Sequence, residues 1–510
     1  MSKSKSTNNL RSPSVVVIGA GMTGVLLTIK LREAGITDIT VLEKRDRLGG
    51  TWRENTYPGV ACDIPAHMYT YSFEPNPEWS HRFAHGDEIQ TYFELVGRKY
   101  GVTNSINFNE SVTRCIYSEG SWAVTTSKGR ELVVDFVINS TGILHHPAKP
   151  NIKGIENFQG AVFHTAEWDH SVDLAGKKVG IIGTGSTAAQ VVPEVAKEAQ
   201  KLSVFQRTPQ WILPIGNKSV TEKEKEKLRK NPIKVQRLRQ AYNWGMAQLL
   251  TKAVTGHKLQ GFLMSLVCKA YMKYAVKDPV LRKKLTPDYK VGCKRIVINT
   301  TFLPALQSEN VDLVTDGIAE ITETGIITKS GDHHPLDVLV LSTGFNPVAY
   351  MRPMELVGKD GLHIDEAWAN KIQTYRSVCM PGFPNNFLML GPNSPIGNYS
   401  VIEMSEVQTR YIIKAIDRWR AGEYDEIEVK PSAVNKFADY MRVGMKNTVW
   451  VGGCQSWYLD KDGDPILWPY TWARWEQEME TPDFNDFDLT SFEPSASSEK
   501  KQVTDAEVTQ

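Results

Sequence analysis

The sequence predicts an α/β chain of two Rossmann-like dinucleotide-binding units, the second interrupted by a helical insertion. Three observations predict it. Glycine turns framed by strand and helix occur at Gly19 and again at Gly183. A charged residue stands 24 positions after the first glycine of each turn, Glu43 in one and Arg207 in the other. The stretch from Thr221 to Leu285 is rich in Lys, Glu, Leu and Ala at helical spacing and poor in turn signals. At 510 residues the chain exceeds one core and fits two or three domains.

The first unit begins with the β-branched run Val15 to Ile18. Gly19-Ala20-Gly21-Met22-Thr23-Gly24 is a G-x-G-x-x-G turn, Val25 to Ala34 reads as a helix, and Ile39 to Leu42 is a second strand ending at Glu43. In this pattern Gly19, Gly21 and Gly24 let the backbone approach a pyrophosphate at a helix N-terminus, and Glu43 accepts hydrogen bonds from a ribose. A glycine-rich turn in an ordinary core would not need strand, turn, helix, strand and acid in this order.

The next stretch, Gly49 to Asp63, reads G-G-x-W-x-x-x-x-Y-P-G-x-x-x-D. Position by position it matches a fingerprint of the type I Baeyer–Villiger monooxygenases, and the chain resembles that flavoprotein family. The resemblance implies FAD at the first unit, with Thr51, Trp52 and Asp63 among the residues at the cofactor, and adds Tyr69 and Val112 as FAD contacts.

Met68 to Phe73 reads as an aromatic strand, and Gly86 to Tyr100 as a helix. Ile106 to Phe108, Val112 to Tyr117, Trp122 to Thr125 and Glu131 to Asn139 read as a small antiparallel meander closed by Ser140-Thr141-Gly142. After a Pro147 to Pro150 linker, Phe158 to Asp169 reads F-x-G-x-x-x-H-x-x-x-W-D, a second fingerprint of the same family. In an interdomain segment His164 and Trp168 would couple domain orientation to NADP(H) occupancy.

The second unit follows: strand Lys178 to Ile182, turn Gly183-Thr184-Gly185-Ser186-Thr187-Ala188, helix Ala189 to Glu198, and strand Lys201 to Phe205 leading to Gln206-Arg207-Thr208. An acid at the Arg207 position would repel a 2′-phosphate, whereas a guanidinium clamps it, so this site should prefer NADPH to NADH. Lys294 and Thr208 are further candidates for the same phosphate. The insertion, about 217–287, fits a lid or a purely structural element.

Lys294-Arg295 precedes the apolar strand Ile296 to Ile298. The resemblance implies that Arg295 projects over the flavin, oriented by Asp63, which makes these two the candidate catalytic residues. Val338 to Ser342 is another strand with a Thr343-Gly344 turn. Phe387 to Leu390 leads into a helix through Glu403 to Trp419. Cys454 to Tyr458 matches a family run whose Trp, here Trp457, contacts the nicotinamide side of NADP.

The domains expected are therefore 15–145 and 346–490 for FAD and 146–345 for NADP, with 1–14 and 491–510 as disordered ends. The reaction implied is insertion of one oxygen atom from O2 beside a ketone carbonyl, through a flavin C4a-peroxide, to give an ester or lactone. Oxygenation of nitrogen or sulfur is the alternative on the same scaffold, and a silent NADP sensor is another. A disulfide reductase would need a CxxC pair, which is absent. A net charge of +1 points to no nucleic-acid partner. Six scattered cysteines without metal-ligand spacing read as reduced thiols and no metal site. The absence of an apolar leader and of any spanning apolar run predicts a cytoplasmic protein without stable membrane insertion.

Overall fold

The β-branched runs become the centres of two five-stranded parallel sheets. The computed structural model describes residues 10–492 apart from 398, 454–457, 461, 463 and 465. Its first sheet runs Asn386–Leu388, Phe136–Asn139, Ser14–Ile18, Asp38–Leu42, Ile106–Asn107. The second runs Val311–Val314, Lys201–Phe205, Lys178–Ile182, Val338–Leu341, Ala161–His164. Every pairing in both is parallel. Parallel strands carry cover on both faces, so the near-continuous apolar runs here are buried on both sides.

The two sheets repeat one device. In each, the strand before a glycine turn lies beside a strand that ends at a Ser-Thr-Gly turn. Gly19 has φ +99° and Gly183 φ +117°, and a Cβ on them would sit 2.8 Å from the Ser140 carbonyl oxygen and 2.2 Å from that of Ser342. Only glycine permits the two turns to cross so closely. The third glycine of the first turn is tighter still, since a Cβ on Gly24 would lie 2.0 Å from the Gly19 carbonyl oxygen. We expect Gly24→Ala to lower stability by about 1–3 kcal/mol, seen as a fall in thermal midpoint, whereas Gly21→Ala, with 3.6 Å of room, should barely shift it.

Three readings of the sequence change here. The run Glu131 to Asn139 is two strands, because the Asp135 carboxylate accepts from the Ser14 amide and hydroxyl at 2.7 and 2.8 Å and turns the chain into the parallel sheet. Only Val112–Ser118, Ser121–Thr126 and Glu131–Val134 make the antiparallel meander, joined by Glu355–Val357; Ile106–Asn107 instead edges the first sheet. Met68 to Phe73 is a series of turns and no strand: the Pro65 carbonyl takes both the Met68 and Tyr69 amides, and Met68, Tyr69 and Tyr71 plug the core. Finally, the cysteines are not all thiols. Cys62, Cys115, Cys268 and Cys379 are free, but Cys293 is disulfide-bonded.

Residues 222–285 are helical, with starts that the side chains explain. Thr221 and Glu224 form a reciprocal capping box, Asn231 caps Pro232–Gly245, and Asp278 caps Pro279–Leu285. Pro232–Gly245 runs into a π-helical turn, Met246–Thr251, before the long helix Lys258–Ala275. Among the described residues no helix is long and apolar enough to cross a membrane.

Candidate active site

The Gly49 to Asp63 stretch joins the two units. Its beginning is latched to the first glycine turn: the Gly49 amide donates to the Ala20 carbonyl at 3.0 Å, and Gly50, at φ +55°, leaves 3.0 Å between its would-be Cβ and the Gly21 Cα. Its middle docks on the helix Ser186–Glu198 of the second unit. There the Tyr57 hydroxyl donates to Gln190 Oε1 at 3.0 Å, and Gln190 Nε2 donates to the Ala61 carbonyl at 2.9 Å. Gly59, at φ +78°, lets the backbone pass the Gln190 carbonyl, from which a Cβ would be 2.7 Å away. Its end, Asp63, holds Arg295.

That pair spans 232 residues of sequence. Arg295 donates Nε to Asp63 Oδ2 at 3.0 Å and one terminal nitrogen to Oδ1 and Oδ2 at 2.7 and 2.6 Å, a bidentate clasp. The side chains are 29% and 19% exposed, so the pair stays open to the cleft it lines. Burial works to lower the pKa of Arg295, but the charge of Asp63, and its hydrogen bonds, hold it above its ordinary value. Tyr458 completes the cluster by a hydrogen bond with Arg295, and burial raises its hydroxyl pKa. The adjacent Cys62 thiol is pushed up by burial and by the Asp63 charge, which leaves it an inert neighbour.

One cleft of about 1560 Å³ connects this pair to both glycine turns. Gly19, Gly21, Glu43, Thr51, Trp52, Asp63, Tyr69 and Val112 line it from the first unit; Gly183, Thr184, Gly185, Ser186, Thr187, Gln206, Arg207, Lys294 and Arg295 line it from the second. Gly24 and Ala188 do not line it. They are buried where helix meets strand, the packing role of the third small residue. Trp457 lies outside the described residues. His164 and Trp168 are also absent from the walls: His164 ends the edge strand of the second sheet, its Nδ1 accepting from the Ala166 amide at 3.1 Å, and Trp168 meets Phe163 edge-on at 5.0 Å.

The cleft has the chemistry of a nucleotide site at both ends. Neither helix Met22–Glu33 nor helix Ser186–Glu198 has a side-chain N-cap, so their first-turn N–H groups stay free for a phosphate. Ser140 Oγ, Thr141 Oγ1 and Ser342 Oγ are buried and have no hydrogen-bond partner among the described residues. All three line the cleft, where a polar ligand would satisfy them. Glu43 is held by the Ala20 amide at 2.7 Å on Oε2 and the Arg45 amide at 2.9 Å on Oε1, with a second lone pair left on each oxygen. At the second unit, Arg207 and Lys294 form no ion pair among the described residues. Burial, and then the nearby Arg207 charge, lower the Lys294 pKa. Asp288 acts on Lys294 in the opposite sense without forming an ion pair, and two cations beside a single acid suit a phosphate.

Sequence reasoning missed three residues of this region. Gln190 carries no local signal, since its role exists only where the helix meets Tyr57 and Ala61. Tyr458 closes a run already singled out for Trp457. His145 lines the cleft, with Nε2 3.0 Å from the Tyr350 carbonyl, and burial, together with the charge of His146 if protonated, lowers its pKa from 6.5 to about 4. Its folded pKa lies below its unfolded one, so it contributes stability that is complete above pH 6.5 and is lost as pH falls towards 4. Allowing for its partial exposure, we expect a loss of about 2 kcal/mol over that window, read as a drop in thermal midpoint between pH 7.5 and 4.5 that His145→Gln makes shallower.

The profile of the family described as flavin-binding monooxygenase-like matches residues 12–421. A Baeyer–Villiger monooxygenase of Streptomyces coelicolor is 38% identical over 93% of this chain and 92% of its own. Among solved structures, an oxidised steroid monooxygenase bound to NADP superposes with a TM-score of 0.84 at 28% identity, over 94% of this chain and all of its own. OTEMO in complex with FAD and NADP superposes at 0.83 and 26% identity, with the same coverage.

Proposed function

The chain belongs to the flavin-binding monooxygenase-like family, and from that premise we propose that it converts a ketone and O2 into an ester or lactone, with FAD and NADPH as its cofactors. It is a flavin-dependent monooxygenase of the Baeyer–Villiger type. The observation that carries the mechanism is the Arg295–Asp63 clasp standing in one cleft with both glycine turns.

When bound, FAD reduced by NADPH would supply the activation of O2 that no side chain here can provide. The protein holds and positions. Gly19, Gly21 and the free first-turn amides of Met22–Glu33 would receive the FAD pyrophosphate, with Gly24 packing that helix on its strand, and Glu43 would accept from the ribose. Thr51, Trp52, Tyr69 and Val112 would wall the flavin, with Trp52 fixed by the 3.0 Å hydrogen bond it donates to the Tyr69 hydroxyl. Gly183 to Thr187 and Gln206 would bind NADP(H), with Ala188 packing the helix behind them, Arg207 and Lys294 would hold its 2′-phosphate, and Trp457, by the family resemblance, its nicotinamide side.

Arg295 then holds the negative charge that develops on oxygen when the ketone carbonyl is attacked. A guanidinium suits this because it stays charged at any working pH and is weakly hydrated. Asp63 fixes its orientation and Tyr458 its far side, so the charge is in place before the reaction begins. His164 acts at a distance, through Phe345, which it meets at 5.9 Å and which follows the Thr343-Gly344 turn, and Trp168 acts by bracing Phe163 of the strand that His164 ends.

The test is a panel of steroid and cyclic ketones incubated with the FAD-loaded protein, NADPH and 18O2. An ester carrying one heavy oxygen, formed one for one with NADPH consumed, is the expected product. Oxidation of amines or sulfides with every ketone left intact would overturn the reading.

A further inference from the structure

From residue 227 to residue 277 the chain carries eleven Lys and Arg and not one Asp or Glu, in a protein whose net charge is +1. Arg229, Lys230 and Arg239 are ion-paired, and the other eight make no ion pair among the described residues. The same segment holds nine of the eighteen large hydrophobic side chains that stand exposed among the described residues, including Trp244 and Leu249.

The helix Lys258–Ala275 concentrates both properties. It turns Met264, Cys268 and Met272 inward, yet its outward face is also apolar: Leu259, Phe262, Leu263, Leu266 and Tyr274, at helical spacing, with Phe262 65% and Tyr274 74% exposed. Lys258, Lys269 and Lys273 flank this stripe. A helix with an exposed apolar face as well as a buried one belongs against something. It is too short of apolar residues to cross a bilayer, but an exposed aromatic and leucine face edged by lysines is the pattern of a helix lying in a lipid interface.

We propose that this helical segment docks the protein on an anionic phospholipid bilayer, with Phe262 and Leu266 entering the acyl boundary and the flanking lysines meeting the headgroups. A second copy of the chain fits less well. A two-fold contact would bring the patch against itself and set eight unpaired cations against their counterparts, whereas an anionic surface neutralises them. The other side of the segment faces the site: Met246, Leu250 and Val254 line a small cavity that also contains Asp63 and Arg295. Resting on the proposed monooxygenase function, this would let a ketone dissolved in the membrane approach Arg295 along an apolar route.

The experiment is sedimentation of the full-length, FAD-loaded protein with vesicles of equal phosphatidylcholine and phosphatidylglycerol, and with phosphatidylcholine alone. Docking predicts binding to the first and little to the second. It also predicts about thirtyfold weaker partitioning for Lys269→Gln/Lys273→Gln and about a hundredfold weaker for Phe262→Ser/Leu266→Ser. Because these side chains point to solvent, both variants should keep their FAD and their rate of NADPH oxidation without added ketone. Equal binding to both vesicles, no binding to either, or binding untouched by the substitutions would overturn the proposal. So would a concentration-dependent dimer, seen by light scattering, that Phe262→Ser/Leu266→Ser dissolves. Sedimentation needs no turnover, so its failure leaves the assigned reaction standing, and a failed ketone screen leaves the docking result standing.

Discussion

Arg295→Ala should leave NADPH able to reduce the bound flavin while ester formation falls by about two to three powers of ten. The expectation rests on where the charge is and how it is held. The guanidinium spends its Nε and one terminal nitrogen on Asp63, and a further hydrogen bond with Tyr458 fixes it facing the cleft. Alanine removes the cation and also leaves the Asp63 carboxylate facing the site, so the field there changes sign. Arg295→Lys keeps a charge but cannot reproduce the bidentate fork, and an intermediate loss of activity is expected. Anaerobic rapid mixing with NADPH isolates the reduction step, and chromatography of the products isolates oxygenation. If both steps fell together in Arg295→Ala, the residue would be supporting the fold or the cofactor and not the oxygenation. Ester formation at the native rate would remove it from the mechanism altogether.

Arg207→Ala should raise the KM for NADPH about tenfold to a hundredfold and leave that for NADH within about threefold. Arg207 is exposed and follows the second strand of the NADP unit, one position beyond Gln206, which stands in the register that Glu43 occupies in the FAD unit. It forms no ion pair among the described residues, so its removal breaks no native contact that would disturb NADH. Lys294 remains in the same cleft and keeps part of the attraction, which bounds the effect. Its pKa, lowered by burial and by the Arg207 charge, should move back up in the variant. Steady-state kinetics with the two nucleotides decides the matter, and an equal rise for both would show that Arg207 acts on the fold of the turn and has no part in reading the phosphate.

Much of the fold was legible because its signals are local. A glycine at φ +99° or +117° beside a carbonyl oxygen cannot be replaced, and so G-x-G turns, flanking β-branched runs and capped helices can be read residue by residue. The errors arose where a distant group overrode a local preference. Glu131 to Asn139 has strand character throughout, but Asp135 is claimed by Ser14, 121 residues away, and the run divides between two sheets. Met68 to Phe73 has the aromatic content of a strand, yet the Pro65 carbonyl closes a turn on it and the rings fill the core. Cys293 reads as one of six isolated thiols, and its disulfide depends on a neighbour that spacing does not reveal.

By itself the sequence determined the two glycine-turn units and marked the residues proposed to read a 2′-phosphate and to form the reaction centre, since each lies in a contiguous or nearly contiguous motif. The tertiary structure alone decided that Gly49 to Asp63 would bridge the units through Gln190, that Tyr458 would join Arg295 and Asp63, and that the outward face of Lys258–Ala275 would stay uncovered. The physical reason is common to all three. Hydrogen bonding, ion pairing and burial depend on distance in space, and nothing in the local pattern of a chain measures how near residue 63 comes to residue 295 or whether an apolar stripe finds another to cover it.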